Sequence, residues 1–397
     1  MKATLVGFTI PDELLQEINR TDDLMASQTH RFAWATVSAL TSAGVEVDLI
    51  SAAPVSDYPR NPRLFWRSRS FVEGGVKGYL MPFVNAIVLK HLTRSLSAWT
   101  LGLRRLRRGR PDWILVHGVH TPFLWFGVGA ARLVGAKAGV LVTDPPGVVR
   151  PEDGLVRRSL KRLDIALSRG ALMRSDAVVV LAKPLAEDFA TGVPHMVMEG
   201  IFDASAWSPT APVDKEDDAP FVITYAGGLS AEYGVEDLVN AVLAMPDPTV
   251  ELHLYGRGPL EEWIAEVASE DQRVRPSRVV DPSELAGIYA ASDVLIQPRP
   301  VDQGFVPYSF PSKLIEYLAS GVPVVTTRLP SIPEDYDAHV VWSDGGADGL
   351  RRGIDRVRAK SVTERRAAGQ EAARFLLESR SAAAQGQRLR RFLEQSV

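Results

Sequence analysis

Short runs of β-branched and apolar residues alternate along the chain with longer stretches in which apolar residues return every three or four positions. In the first half these runs cover residues 3–10, 45–51, 113–117, 138–143 and 177–181; the pattern restarts at 221–226, 250–255, 294–297 and 322–326. Such apolar and β-branched runs are what parallel strands show when helices cover both faces of their sheet. The alternation predicts an α/β chain of two successive parallel-sheet units. Residues 204–219 concentrate Pro, Asp and small residues with no periodicity and read as a linker. The expected organisation is a domain at 1–203, a linker at 204–219, a second domain at 220–375 and a C-terminal helix at 376–397. Nothing in the sequence forces that helix to belong to the second domain, and it is free to pack back on the first.

Composition narrows the class. The 397 residues suffice for two domains with real cores, and 46% hydrophobic content is ordinary for a globular protein. With no cysteine there is no disulfide, no thiolate nucleophile and no Cys-ligated metal; a reducing compartment is permitted. The first apolar run turns acidic just after Ile10, too short for a signal-peptide core. The apolar stretch 113–131 is broken by His117, Gly118, His120 and Pro122, so it reads as strand, loop and helix rather than a membrane span. A soluble chain is expected.

Charge changes the picture more. The formal net charge is −3, yet between Arg60 and Arg110 stand twelve Lys or Arg and one acid, Glu73. Such a block on an otherwise acidic chain points to an anionic partner of the first half, a phosphate-bearing ligand or a membrane surface. A solvated helix face over an ordinary core explains it too. Nucleic acid loses ground, because no nucleic-acid motif accompanies the block.

Several motifs fall where strands end. Tyr225-Ala226-Gly227-Gly228-Leu229 follows a predicted strand and precedes a helix at 235–244; glycines there permit a tight turn and let amides approach a phosphate. A turn that merely needs glycine explains the pair equally well. Leu254-Tyr255-Gly256-Arg257-Gly258-Pro259 repeats the situation, with Arg257 placed for a phosphate or simply solvated. In open α/β sheets, ligands bind outside the carboxyl ends of the strands, where both turns lie.

The segment 310–325 carries the most information. Pro311 opens a helix and Gly321 ends it; Leu314, Ile315 and Leu318 form a buried stripe, with Lys313, Glu316 and Tyr317 sharing the other face. A cation near a helix start suits a diphosphate, and a carboxylate one turn on can accept from ribose hydroxyls. The alternative is a surface Lys-Glu pair. In the first half, His117 and His120 stand at the carboxyl end of the 113–117 strand, where an imidazole can meet a sugar hydroxyl or phosphate.

Together these residues resemble a GT-B glycosyltransferase of the retaining family 4. The resemblance is specific from about Tyr225 to Pro333, through Gly-Gly-Leu, Tyr-Gly-Arg-Gly-Pro, SELAGIYAASDVLIQP and PSKLIEYLASGVPVVTT. Residues 199–203 and Trp207-Ser208-Pro209 resemble the family's inter-domain segment, and the first half resembles polysaccharide-assembly members. The resemblance implies two Rossmann-like doubly wound parallel-sheet domains facing across a cleft, with a nucleoside diphosphate sugar bound by the second domain and a lipid-linked or saccharide acceptor by the first. Glu316 would hold the ribose. Lys313, Arg257 and the amides of Gly227 and Gly228 would neutralise the diphosphate without a metal, and His117, with His120 as neighbour, would contact the transferred sugar. No cofactor is implied beyond the sugar nucleotide as co-substrate.

Three departures from the family pattern stand out. Tyr308 occupies the place of the first glutamate of the family's pair, and Gly228 and Tyr233 replace its usual Arg and Lys. They motivate a second reading, a catalytically degenerate scaffold or accessory subunit; a sugar-nucleotide epimerase is a third. Asp335-Tyr336-Asp337 is formally a DxD metal motif, but it follows Pro333 in a loop and is discounted. The expected setting is cytoplasmic, with peripheral contact on the inner face of the cytoplasmic membrane through the Arg60 to Arg110 block.

Overall fold

The computed structural model describes residues 1–22, 27–147, 153–202 and 219–396. The chain divides into two compact units, unit 1 (Met1–Ile201 with Ala382–Val397) and unit 2 (Phe202–Ser381). The linker expected at 204–219 lies, up to residue 218, outside the described residues, as do Trp207, Ser208 and Pro209.

Unit 1 runs through β1 (Lys2–Gly7), α1 (Asp12–Asn19), α2 (Ser27–Ser42), β2 (Glu46–Ser51), β3 (Phe65–Trp66), β4 (Arg69–Glu73), β5 (Val76–Leu80), β6 (Phe83–Val84), α3 (Leu89–Ser97) and α4 (Leu103–Gly109). It continues with β7 (Trp113–His117), α5 (Thr121–Val134), β8 (Lys137–Val142), α6 (Leu155–Leu172), β9 (Ala177–Val180), α7 (Lys183–Phe189) and β10 (His195–Val197). The sheet order is β10-β9-β8-β7-β1-β2-β5-β4, parallel except for β4, which pairs antiparallel with β5. β7 is buried at every position, as both-face coverage by helices requires. The winding reverses between β1 and β7, which places the unit's switch point at Gly7 and His117.

Unit 2 holds β11 (Phe221–Ala226), α8 (Val235–Leu243), β12 (Val250–Tyr255), α9 (Glu261–Glu270), α10 (Leu285–Ala290), β13 (Val294–Gln297), α11 (Lys313–Ala319), β14 (Val324–Thr327), β15 (Val341–Ser343), α12 (Gly346–Arg358) and α13 (Val362–Arg380). Its five strands are all parallel, in the order β12-β11-β13-β14-β15. Here the winding reverses between β11 and β13. α13 opens on a capping box between Ser361 and Glu364, which satisfies two backbone donors at the helix start.

The last helix, α14 (Ala382–Gln395), packs on α2 within unit 1. Gly386 makes this possible, since a Cβ there would stand 1.9 Å from the Ala39 carbonyl. Gln385 Nε2 donates to the buried Gly200 carbonyl at 2.8 Å and Arg390 to that of Ala43 at 2.8 Å. The return begins after residue 381 rather than at 376, because Leu376 lies inside α13 and fills the core of unit 2.

Two expectations about faces are corrected. Tyr317 does not share an open face with Lys313 and Glu316: it is fully buried, and its hydroxyl donates to the Ala226 carbonyl and accepts from the Ala226 N–H. The block from Arg60 to Arg110 is not one solvated face either. Lys90 is buried, donates to the Val55 carbonyl at 3.0 Å and pairs with Asp57. Arg94 is buried over the Phe83 ring and donates to the Ala53 carbonyl, while Arg63 lies over Trp66 at 4.4 Å and pairs with Glu17 at 3.2 Å. Tyr79 and Leu80, in the apolar stretch after it, belong to the core.

Candidate active site

In unit 2 the loops after β11 and β12 are stitched backbone to backbone. Gly227 N–H donates to the Tyr255 carbonyl, Leu229 N–H to that of Arg257, and Leu260 N–H to that of Leu229. The approach needs glycine: Gly256 has φ +141°, and a Cβ on it would meet the Gly227 carbonyl at 1.8 Å. One consequence corrects the sequence reading. The Gly227 amide is occupied by Tyr255, so of the two amides expected to meet a phosphate only that of Gly228, an exposed residue, has no acceptor among the described residues. Tyr225, its phenol pKa raised by burial, donates from its hydroxyl to the Gly228 carbonyl at 2.9 Å and fixes the turn.

Three cations and a carboxylate lie at the same carboxyl end of the sheet. Arg257 is exposed. Lys313 and Glu316 on α11 pair with each other, Nζ to Oε2 at 2.6 Å. Glu316 also contributes, after burial, to raising the pKa of the Tyr289 phenol. The third cation is Arg299, two residues beyond β13 and thus at the switch point beside β11. Its guanidinium lies 5.3 Å over the Tyr233 ring and 5.7 Å over that of Phe305, and donates to the Ser309 carbonyl and hydroxyl at 3.3 Å each. Burial lowers its pKa, and its Nε has no hydrogen-bond partner. Tyr308 lies in the short 3₁₀ turn Val306–Tyr308 of the same loop.

Sequence reasoning overlooked Arg299. The available signal was Pro298-Arg299-Pro300 at the end of a recognised strand; what was lacking was the strand order that brings this end beside Gly228 and Tyr233. Tyr233, which occupies the place of a lost cation, thus supports another one with its ring.

At the switch point of unit 1 the chemistry differs. His117, the last residue of β7, is buried with its Nε2 unpartnered and its ring stacked on Phe32 at 6.1 Å. Burial pushes its pKa down to about 4, so the ring is neutral at neutral pH. His120 precedes α5, between the rings of Phe8 and Phe123, with its Nε2 3.3 Å from His91 Nδ1. Burial first, then Arg94, His91 and Lys90, hold it well below the usual imidazole range. Each ring thus keeps one buried nitrogen without a partner, Nε2 in His117 and Nδ1 in His120, and the two differ in their neighbours: Phe32 for His117, and Phe8, Phe123 and His91 for His120.

The discounted DxD carboxylates are both tied up, Asp335 with Arg380 at 2.6 Å and Asp337 with Arg328 at 3.0 Å. Among the described residues no group of three His, Asp or Glu side chains is arranged to hold a metal ion.

Residues 29–199 match the family described as Glycosyltransferase Family 4, and residues 220–359 the family described as Glycosyl transferases group 1. No curated protein sequence matches the chain. Among solved structures it is similar to sucrose-phosphate synthase from Thermosynechococcus elongatus (16% identity, TM-score 0.64) and to HepE from Anabaena in complex with UDP (13%, 0.63). It is likewise similar to the lipopolysaccharide outer core galactosyltransferase WaaB (13%, 0.65); in all three cases 100% of both chains is covered. The chain therefore carries the two domains of a glycosyltransferase, a family 4 domain followed by a group 1 domain, on the paired doubly wound parallel sheets of the GT-B fold.

Proposed function

We propose that the protein is a retaining, metal-independent glycosyltransferase that moves a sugar from a nucleoside diphosphate sugar to an acceptor hydroxyl in polysaccharide or glycolipid assembly. One observation carries the reading: Gly228, Arg257, Arg299 and the paired Lys313 and Glu316 all follow the carboxyl ends of neighbouring strands of the unit 2 sheet. That set suits a diphosphate beside a ribose, the chemistry of UDP, which the HepE structure holds. Positive charge aimed at the departing diphosphate is the principal catalytic contribution of these residues. Glu316 accepts from the ribose hydroxyls, its carboxylate having acceptor sites beyond the one on Oε2 that Lys313 fills. His117, neutral and with Nε2 unpartnered, is suited to a hydroxyl of the transferred sugar. The acceptor is lipid-linked or a saccharide, met by unit 1 on the inner face of the cytoplasmic membrane.

A thermal-shift and calorimetric screen of UDP-, GDP-, dTDP- and ADP-sugars tests this, because a ligand that binds the native state raises its stability. Binding of one donor, and loss of turnover in Glu316→Ala, are expected; no binding to any of them together with an indifferent Glu316→Ala sinks the reading. Tyr308 at the place of the family's first glutamate favours the second reading, a scaffold without turnover. That reading predicts a silent site in the same calorimeter.

A further inference from the structure

Unit 1 leaves two apolar surfaces uncovered. α6 turns Ile165, Ser168 and Leu172 inward, while Val156, Leu160, Leu163 and Leu167, spaced i, i+4, i+7 and i+11 on one face, are 75, 62, 57 and 41% exposed. A helix on the surface of a soluble domain carries polar residues there. The second surface begins at Val88, whose φ of +67° and ψ of −53° place a β-branched residue in a region it enters only under strain. The Leu89 N–H donates to the Ile87 carbonyl at 2.8 Å and closes a three-residue turn. The strained turn holds Ile87, Val88 and Leu89 out in solvent, and Leu92 and Leu96 continue the apolar surface along α3 at 60 and 65% exposure.

The two surfaces are neighbours. His91 on α3 meets His120 at the start of α5, Thr121 Oγ1 donates to Asp164 on α6 at 2.6 Å, and the Asp164 charge reaches His91. Cations surround the apolar residues: Arg157, Arg162 and Arg169 are exposed on α6, Arg157 paired with Asp153 at 3.2 Å just before the helix; the one acid within α6 is Asp164, and α3 has none.

We propose that α6 and the turn at residues 87–89 form a docking face for an anionic lipid bilayer, the leucines entering the headgroup layer and the arginines meeting lipid phosphates. Charge decides this occupant. A twofold contact between copies would set arginine against arginine, whereas an anionic leaflet complements them, each cation favouring the surface about fivefold. This inference deepens the membrane contact proposed above, and it moves the centre of that contact from the Arg60 to Arg110 block, where Lys90 and Arg94 are buried, to α6.

Flotation of the full chain with phosphatidylcholine vesicles, with and without phosphatidylglycerol, tests the face. The protein is expected to float with the anionic vesicles, and Leu160→Glu/Leu163→Glu to lose at least about tenfold in partition. Arg104→Glu/Arg107→Glu is expected to lose less. The circular dichroism spectrum and the urea unfolding transition stay unchanged in both variants and serve as the folding control. The proposal is overturned if wild type does not float, or if Leu160→Glu/Leu163→Glu floats like wild type. It is equally overturned if that variant splits a wild-type dimer in sedimentation equilibrium. Absence of nucleotide binding in wild type with flotation intact would instead remove the donor reading and leave the docking face standing.

Discussion

At the carboxyl end of the unit 2 sheet, where β11 and β13 part, lie two glycine turns and three cations; at the switch point of unit 1, between β1 and β7, a neutral buried histidine stacks on Phe32. The same topological device produces both crevices, because strands that wind outward in two directions leave their carboxyl ends uncovered where they part. What fills the crevice depends on local chemistry. Unit 2 offers charge to an anion. Unit 1 ties its cations Lys90 and Arg94 to backbone carbonyls and keeps an imidazole nitrogen buried without a partner.

The sharpest way to break this contrast is to remove charge from one end only. Arg299→Ala/Lys313→Ala is expected to weaken nucleoside diphosphate binding by about 4 kcal/mol, near a thousandfold, since each charge-assisted hydrogen bond is worth about 2 kcal/mol. His117→Ala should leave that affinity within about twofold and lower kcat. Calorimetry on both variants decides: equal losses would erase the distinction between the two ends.

The neutral histidine sets a second expectation. In the unfolded chain the His117 ring takes a proton below pH 6.5, whereas the folded ring refuses it until about pH 4. Stability present above pH 6.5 is therefore lost as the pH falls across this window, by about 3 kcal/mol from this group. Urea unfolding of wild type and His117→Asn across that range measures it; the variant should show a flatter pH dependence. His120, depressed in the same direction, adds to the slope.

Smaller effects test the frame of the donor end. Gly256→Ala drives a Cβ into the Gly227 carbonyl and should destabilise unit 2 by about 2 kcal/mol, read as a lower unfolding midpoint with weaker nucleotide binding. Ser361→Ala removes the capping box of α13, far from the turn in sequence, at a cost of about 1 kcal/mol and with unchanged affinity. If both variants weakened the ligand alike, the affinity loss in Gly256→Ala would reflect lost stability rather than the turn.

Much of the scaffold was legible in the sequence. The runs 113–117, 221–226, 250–255 and 294–297 coincide with β7, β11, β12 and β13, because strands covered by helices are rich in apolar residues, although the edge strand β12 carries the half-buried Glu251 and His253. β4 and β5 escaped: β4 is a largely exposed edge strand, and Lys77 and Gly78 break the apolar run of β5. β10 and β15, of three residues each, are too short for any pattern. The apolar stripe of α6 was present in the sequence, yet periodicity says only that a face is apolar, and only packing shows that the other face was chosen for the core.

The candidate site was read in part. Gly228, Arg257, Lys313 and Glu316 lie at the carboxyl end where the motifs placed them, but the Gly227 amide is consumed by Tyr255, and Tyr317 turned out to be a core residue that ties α11 to Ala226. Both corrections arise from hydrogen bonds between segments far apart in the chain, which spacing does not encode.

The sequence by itself determined which segments become buried strands and helices and which turns need glycine, since burial and backbone sterics act within a few residues. Only the tertiary structure decided which strand lies beside which. That choice brings Arg299 to Gly228, leaves His117 neutral and buried, and turns the leucines of α6 to solvent, because lateral order and facing are set by packing summed over the whole unit.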